Sequence, residues 1–234
     1  MGNIVIFDLY GTVLEDGFFE FKRGITWLYE TYFADRCSLQ EFLDFSDTFL
    51  PLYHQRKQHH REISMMKDEL PLYFAQFGVP LPEDLWELDF QIMDHMQHET
   101  LSPAVVTTLD ELERRGVPMY ILSNSIFSGR SAMRLLERFG IAKYFRQIFT
   151  SADAGWRKPG TMVFRLAKHA ILAENPGASA DDIVFVGNDY TADAAGGIDA
   201  GLRTVWFNQQ HLPNEPELPV IEIDDFSQLL DFVE

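Results

Sequence analysis

The chain has 234 residues, a formal net charge of −17 and a hydrophobic fraction of 46%, which is enough apolar material for a large core. The acidic excess argues against a nucleic-acid partner, because affinity for nucleic acids comes largely from Lys and Arg contacts with phosphates. A single cysteine, Cys37, excludes an internal disulfide, and no apolar run reaches the length of a membrane span.

The first predicted element is a buried strand over residues 4–7 that ends at the carboxylate of Asp8. A short apolar run closed by turn residues is typical of a strand in a parallel sheet. Ligands of such sheets bind at the carboxyl ends of the strands, where a carboxylate is costly unless it is paired. Asp8 is therefore a candidate functional residue, although an Asp that begins a tight turn explains this stretch equally well.

Helical spacing follows over residues 15–99, with almost no β-branched runs. Ser38 opens a capping-box pattern, S-x-x-E, which predicts the start of a helix. A second helix is predicted over residues 61–77, kinked or split by Pro71, and a third begins after Pro82. Together these patterns predict an all-helical domain at residues 15–99.

Strands and helices alternate in the rest of the chain. The predicted strands cover residues 119–122, 147–150, 183–186 and 204–207, with helices between them and a short helix over residues 225–233. This alternation implies a parallel sheet with helices on both faces. We therefore predict an α/β protein with a Rossmann-like core, residues 1–14 and 100–234, and a helical domain inserted after the first strand.

Polar residues interrupt the apolar strand ends. They are Asp8, Tyr10 and Thr12 after the first strand, Ser123 and Asn124 after the second, Lys158 before a helix, and Asn188, Asp189 and Asp193 after the strand over residues 183–186. The carboxyl ends of parallel strands share one edge of the sheet, so these side chains are expected to converge on one crevice.

In sequence order these residues resemble the four motifs of the haloacid dehalogenase-like hydrolases. The motifs are Asp8-Leu-Tyr-Gly-Thr12, Ser123, Lys158-Pro159 and Gly187-Asn-Asp-Tyr-Thr-Ala-Asp193. Each motif alone is weak, but all four occur in order, each at a predicted strand end or helix start. The resemblance also implies that the helical insertion is a cap domain of the C1 type.

The resemblance implies that Asp8 is a nucleophile and forms a covalent aspartyl intermediate that water then hydrolyses. Thr12, Ser123 and Lys158 would bind or stabilise the charged oxygens, and Gly11 and Asn124 would contact the substrate. Magnesium is the implied cofactor, since it prefers hard oxygen ligands. The implied ligands are Asp8, the carbonyl group of Tyr10, Asn188, Asp189 and Asp193, with either Asn188 or Asp189 in place of the usual first Asp of the fourth motif.

Two departures from the family pattern bear on the reaction. Tyr10 stands where family phosphatases carry a second Asp that acts as general acid and base, and tyrosine, with a pKa near 10, is a poor proton shuttle. A tyrosine here is typical of the 2-haloacid dehalogenase branch. However, Phe164, Asn188 and Tyr190 replace residues that are typical of that branch, and Asn188 implies weaker metal binding.

The leading hypothesis is a magnesium-dependent phosphatase for a small phosphorylated metabolite. The alternatives are a metal-independent 2-haloacid dehalogenase and a catalytically weakened binding or regulatory protein. We expect a small-molecule substrate, no nucleic-acid or membrane partner, and a monomer or homodimer. The first core strand leaves no room for a signal peptide, so a cytoplasmic location is expected.

Overall fold

The computed structural model describes residues 4–233, which contain a six-stranded sheet and a two-stranded sheet. The strands are β1 (Ile4–Phe7), β2 (Glu15–Phe19), β3 (Gln97–Thr100), β4 (Met119–Ser123), β5 (Phe145–Thr150), β6 (Ile183–Gly187), β7 (Arg203–Phe207) and β8 (Ile221–Ile223). The large sheet has the order β5-β4-β1-β6-β7-β8, and all of its neighbouring strands are parallel. The predicted α/β fold with a parallel sheet is therefore confirmed.

The helices are α1 (Phe21–Tyr32), α2 (Leu39–Asp47), α3 (Phe49–Gln58), α4 (Leu70–Gln76), α5 (Leu85–Met96), α6 (Pro103–Arg114), α7 (Gly129–Arg138), α8 (Ser151–Ala154), α9 (Thr161–Glu174) and α10 (Gly196–Asp199). π-helical turns at Met65–Glu69 and Tyr190–Ala195 precede α4 and α10. The predicted terminal helix is a 3-10 helix, Phe226–Asp231, and β8 was not predicted. In the described part of the chain, no helix is both long enough and apolar enough to span a membrane.

Strand β1 lies in the middle of the sheet, between β4 and β6, and all four of its residues are buried. Val5 and Phe7 belong to one apolar cluster, whereas Ile4 and Ile6 belong to a second cluster. Side chains alternate across a strand, so both faces of the sheet are covered by apolar residues. Asp8 therefore emerges between two neighbouring strands at the point where the strand order reverses, which is where ligands of such sheets bind.

The segment over residues 15–99 is mostly helical, but the prediction that it is all helical is wrong. It begins with β2 and ends with β3, and the two strands pair in antiparallel fashion. Gly17 permits this close pairing, since a Cβ atom there would lie 1.8 Å from the carbonyl oxygen of His98. The two chain connections to this segment thus lie side by side. The domain boundaries at residues 14/15 and 99/100 stay a prediction.

Within this segment the capping box at Ser38 is confirmed, because Ser38 and Glu41 exchange hydrogen bonds at the start of α2. The second predicted helix begins later than expected, at Met65, and Pro71 lies in the first turn of α4, where a missing N–H group costs little. The residues before Met65 instead pair with the Rossmann-like core: the Glu62 backbone N–H donates to the carbonyl oxygen of Gly155 at 3.3 Å, and Arg61 forms an antiparallel bridge with Trp156.

The buried carboxylate of Asp89 joins α5 to the start of α7 through hydrogen bonds, and removal of this side chain should destabilise the fold. Asp89 is fully buried, and its Oδ2 atom accepts hydrogen bonds from the Ser128 backbone N–H and from the hydroxyl groups of Ser128 and Ser131. We expect Asp89→Ala to lower the free energy of unfolding by about 3 kcal/mol, because buried donors lose their acceptor. Asp94→Ala in the same helix removes an exposed ion pair with Arg138 and should cost about 1 kcal/mol or less. Chemical denaturation measures both values, and equal losses would contradict the account.

Candidate active site

The side chain of Lys158 lies between two carboxylates that come from distant parts of the sequence. Its Nζ atom is 2.5 Å from Asp8 Oδ1 and 2.6 Å from Asp193 Oδ1, and it also donates to the carbonyl oxygen of Leu122 at 3.0 Å. Asp8 follows β1, Asp193 follows β6 and Lys158 precedes α9. All three side chains are buried. The structure thus brings together three of the predicted site residues at the carboxyl edge of the sheet.

The electrostatics of this cluster are dominated by burial. Burial raises the pKa of Asp8 to about 7, because the lowering effect of Lys158 does not offset the loss of solvation and the repulsion from Asp193. Burial likewise raises the pKa of Asp193. For Lys158 burial acts in the opposite direction, but the two carboxylates outweigh it and raise the pKa of its ammonium group. One ammonium thus faces two carboxylates, and the cluster is short of positive charge when both are ionised.

Asn124 fixes the backbone of the residue that carries this ammonium. Its Oδ1 atom accepts from the Lys158 backbone N–H at 2.8 Å, and its Nδ2 atom donates to the Lys158 carbonyl oxygen at 3.0 Å. The end of β4 is thereby joined to the start of α9. Nothing in the sequence indicated these two hydrogen bonds, and the predicted contact of Asn124 with substrate stays a prediction.

The predicted hydroxyl groups lie at the same edge of the sheet. Ser123 ends β4, and among the described residues its buried Oγ atom has no hydrogen-bond partner. Thr12 donates to Asn188 Oδ1 at 3.2 Å, which links the turn after β1 to the loop after β6. Gly11 adopts a positive φ of 78° within that turn, a conformation that glycine adopts without strain. The role of Gly11 in substrate binding stays a prediction.

The loop after β6 holds Asp193 close to its strand. A Cβ atom at Gly187 would lie 2.4 Å from Asp193 Cγ, so a glycine is needed for this approach. The Asp189 backbone N–H donates to Asp193 Oδ2 at 3.0 Å, whereas the Asp189 carboxylate accepts from the Ala192 backbone N–H at 2.6 Å. Asp189 is exposed and caps the following turn, while Asn188 faces Thr12. Asn188 thus faces the turn after β1, whereas the Asp189 carboxylate is engaged within its own turn, and the choice between them as a metal ligand stays a prediction.

The acidic residues alone do not form a metal centre. Across residues 4–233, no group of three or more His, Cys, Asp or Glu side chains is arranged to hold a metal ion. Any metal at this edge would therefore need amide, carbonyl or water oxygens in addition to Asp8 and Asp193. Such oxygens suit Mg²⁺, which prefers hard oxygen ligands and keeps several waters. The predicted metal ligands stay a prediction.

Tyr10 is tied to the helical segment. Its hydroxyl group donates to Gln97 Oε1 at 3.1 Å, and burial, together with the nearby carboxylate of Glu99, raises the pKa of Tyr10 well above its ordinary value. The phenol therefore stays protonated at neutral pH. It is a hydrogen-bond donor at the site and a poor substitute for a carboxylic acid in proton transfer.

Two open cavities are lined by near chain neighbours of the cluster residues, although Asp8, Lys158 and Asp193 themselves line neither. One, the helical-side cavity, has a volume of about 250 Å³ and is lined by Tyr10, Tyr53, Glu62, Asn124 and Arg157, among others. The other, the β7-side cavity, has a volume of about 550 Å³, and its walls include Gly11, Thr12, Asn188 and Asp189. Sequence reasoning missed Glu62 and Arg157. Arg157 could have been found from its position directly before Lys158, whereas nothing in the sequence around Glu62 indicated that it lies near the site.

The family model described as haloacid dehalogenase-like hydrolase matches residues 3–201. The pyrimidine 5′-nucleotidase PynA of Streptococcus pneumoniae is 30% identical over 159 residues, which make up 68% of this chain and 64% of that relative. The match thus spans less than two-thirds of the nucleotidase. The HAD-hydrolase YfnB of Bacillus subtilis is 27% identical over 203 residues, 79% of this chain and 83% of that relative.

Similarity of structure extends further than similarity of sequence. The crystal structure of the 2-haloacid dehalogenase from Pseudomonas syringae pv. Tomato DC3000 superposes on this protein with a TM-score of 0.59 at 21% sequence identity. The superposition covers 99% of this chain and 97% of the dehalogenase chain. At this identity the similarity shows the fold alone. Since the family model matches most of the chain and the motif residues converge at one sheet edge, the protein belongs to the haloacid dehalogenase-like hydrolases.

Proposed function

We propose that this protein is a magnesium-dependent phosphatase that acts on a small phosphorylated metabolite through an aspartyl-phosphate on Asp8. The observation that carries the proposal is the buried cluster in which Asp8 and Asp193 share the ammonium of Lys158. It presents a carboxylate nucleophile beside a fixed cation. Its shortage of positive charge suits a divalent ion. The similarity to a nucleotidase gives further support.

In the proposed reaction, a carboxylate oxygen of Asp8 attacks phosphorus, the bond from phosphorus to the alcohol oxygen breaks, and the alkoxide that leaves takes a proton from water. Water then cleaves the acyl phosphate, which releases phosphate and restores the carboxylate. Lys158 holds negative charge at the reacting group, and the unpartnered hydroxyl of Ser123 is available to donate to a phosphoryl oxygen. Asn124 acts through Lys158 by fixing its backbone.

Asp8, Asp193, the amide oxygen of Asn188 and the carbonyl group of Tyr10 would hold the Mg²⁺ ion, and Asp189 is the less suitable ligand because it caps a turn. When bound, the ion supplies positive charge that lowers the repulsion between the Asp8 carboxylate and the phosphoryl oxygens. Asp8 must be ionised both to bind it and to attack. In the metal-free protein its pKa of about 7 opposes both functions at acidic pH.

A metal-independent 2-haloacid dehalogenase is the second candidate, and Tyr10 is the observation that favours it. A halide leaves without a proton, so a phenol with a raised pKa would be no handicap. A 2-haloacid, however, brings its own carboxylate to a site that already has more acidic than basic groups. The guanidinium group of Arg157, which lines the adjacent cavity, is already paired with Glu62. A weakened binding protein is the remaining alternative.

Phosphate release from an aryl phosphate tests the proposal. We expect Mg²⁺-dependent release that stops on addition of a chelator and falls by at least a factor of about 10³ in Asp8→Asn, because the nucleophile is lost. Glu83→Gln is the matched control, since Glu83 is an exposed acid of the helical segment. Chelator-insensitive halide release from 2-chloropropionate would instead support the dehalogenase. Metal binding without any turnover would support the binding protein.

Magnesium should stabilise the protein more at pH 8 than at pH 6. The pKa of Asp8 is about 7 without metal, so the carboxylate is mostly protonated at pH 6 and mostly ionised at pH 8. A ligand must lose its proton to bind, and binding to the folded state alone raises stability. Thermal unfolding with and without Mg²⁺ at the two pH values measures the effect, and Asp193→Asn should reduce it. Equal stabilisation at both pH values would contradict the assigned ligands.

A further inference from the structure

The helical-side cavity is lined by chain neighbours of the proposed reacting groups, and Asp8, Ser123 and Lys158 themselves do not line it. Three of its wall residues are close chain neighbours of site residues: Tyr10 lies two positions after Asp8, Asn124 follows Ser123, and Arg157 precedes Lys158. The opposite wall comes from the helical segment. This cavity is therefore the candidate space for the alcohol group of a substrate whose phosphoryl group is held at Asp8.

The cavity contains one guanidinium group, and that group is already neutralised. Arg157 Nη1 lies 3.2 Å from Glu62 Oε2, and the side chain of Glu62 is only 1% exposed. Glu62 is held in place, because Ser151 donates its hydroxyl proton to Glu62 Oε2 at 2.7 Å and the Ile63 backbone N–H donates to Oε1 at 3.2 Å. The backbone N–H of Arg157 also donates to the carbonyl oxygen of His60 at 2.9 Å. Glu62 is thus a fixed counter-ion for Arg157.

The charged residues that line the two cavities are mostly acidic. Among the described residues that line the helical-side cavity, the charged ones are Glu62, Glu99 and Arg157, which leaves one acid in excess. The described residues that line the β7-side cavity include four acids and no Lys or Arg; the acids are Glu15, Asp189, Asp224 and Asp225. A leaving group with its own carboxylate or phosphate would meet like charge in either cavity.

We propose that the leaving group of the substrate is an uncharged, hydroxyl-bearing alcohol, and that Glu62 sets this preference by neutralising Arg157. This inference rests on the proposed phosphatase function and narrows its substrate class. Glu62 is a specificity-determining residue here and takes no part in the bond changes.

The other walls of the helical-side cavity suit such a group. Glu99 and Gln97 provide acceptor oxygens for hydroxyl protons, and Tyr53 and Phe19 provide aromatic surface for the carbon skeleton. The volume of about 250 Å³ limits the group to a small one.

Glycerol 3-phosphate and 3-phosphoglycerate form a matched pair for the test, because they share a three-carbon skeleton and differ in a hydroxymethyl against a carboxylate group. Both release a primary alkoxide, so the absence of a carboxylic acid at Tyr10 affects both equally. We expect wild-type kcat/KM to be at least about tenfold higher for glycerol 3-phosphate. A ratio near one, or a preference for the carboxylate, would overturn the inference.

The variant Glu62→Gln frees the guanidinium of Arg157 while it retains a side-chain oxygen for Ser151. We expect the preference for glycerol 3-phosphate to fall by at least about fivefold, chiefly through a lower KM for 3-phosphoglycerate. The double variant Glu62→Gln/Arg157→Met should lose this gain, and Glu83→Gln should keep the wild-type ratio. An unchanged ratio in a folded Glu62→Gln protein, judged by its thermal unfolding, would remove Glu62 from the proposal.

If Glu62→Gln fails to fold, the wild-type ratio of kcat/KM for glycerol 3-phosphate to kcat/KM for 3-phosphoglycerate still tests the substrate class. Hydrolysis of an aryl phosphate without the expected preference would overturn only the substrate class. Failure to release phosphate from the aryl phosphate and from both glycerol derivatives would overturn the phosphatase function, and the inference with it.

Discussion

The ammonium of Lys158 is shared by two buried carboxylates, and the rest of the site depends on this contact. Burying charged groups costs several kcal/mol for each ion, and the cost is offset when the charges pair with good geometry. Here burial raises the pKa of Asp8, and one ammonium that faces two carboxylates offsets the cost only in part. The fold holds these three side chains together because β1 and β6 are adjacent and Asn124 fixes the backbone of Lys158.

The shortage of positive charge in this cluster also affects which groups can bind beside it. Incoming positive charge is favoured, which suits a divalent ion, and incoming negative charge beyond the phosphoryl group is not. Glu62 strengthens this bias by occupying Arg157, and the acids of the β7-side cavity act in the same direction. Tyr10 adds a second constraint, because its phenol retains its proton and gives little help to an alkoxide leaving group. Under the proposed function, charge would select the substrate class, and the absence of a carboxylic acid at position 10 would limit the rate.

Much of the fold was predictable because the core strands are nearly continuous apolar runs. Ile4–Phe7 and Ile183–Gly187 are buried throughout, and each ends abruptly in polar residues. Once the strands are parallel, their carboxyl ends must share an edge, so the meeting of Asp8, Lys158 and Asp193 follows from the order of elements. Strand β8 was missed because its three residues carry only a weak hydrophobic pattern. Strands β2 and β3 were missed because they consist mainly of polar, glycine and aromatic residues that do not alternate clearly.

Contacts that depend on tertiary packing were not predictable. Nothing in the local sequence indicates that Glu62 turns toward Arg157, since the two residues meet only after the helical segment packs on the Rossmann-like core. The same holds for the hydrogen bonds of Asn124 with Lys158 and for the bond between Tyr10 and Gln97. The sequence therefore identified the reacting groups more completely than the residues that select the substrate.

The central claim is that Asp8 is the group that becomes phosphorylated, and chemical trapping tests it most directly. The enzyme would be mixed with an excess of aryl phosphate and Mg²⁺, quenched rapidly in acid, digested and analysed by mass spectrometry. If Asp8 is the phosphorylated group, one phosphoryl group will be found on the peptide that contains Asp8, and none will be found in Asp8→Asn. A phosphoryl group on another peptide, or turnover that persists in Asp8→Asn, would contradict it.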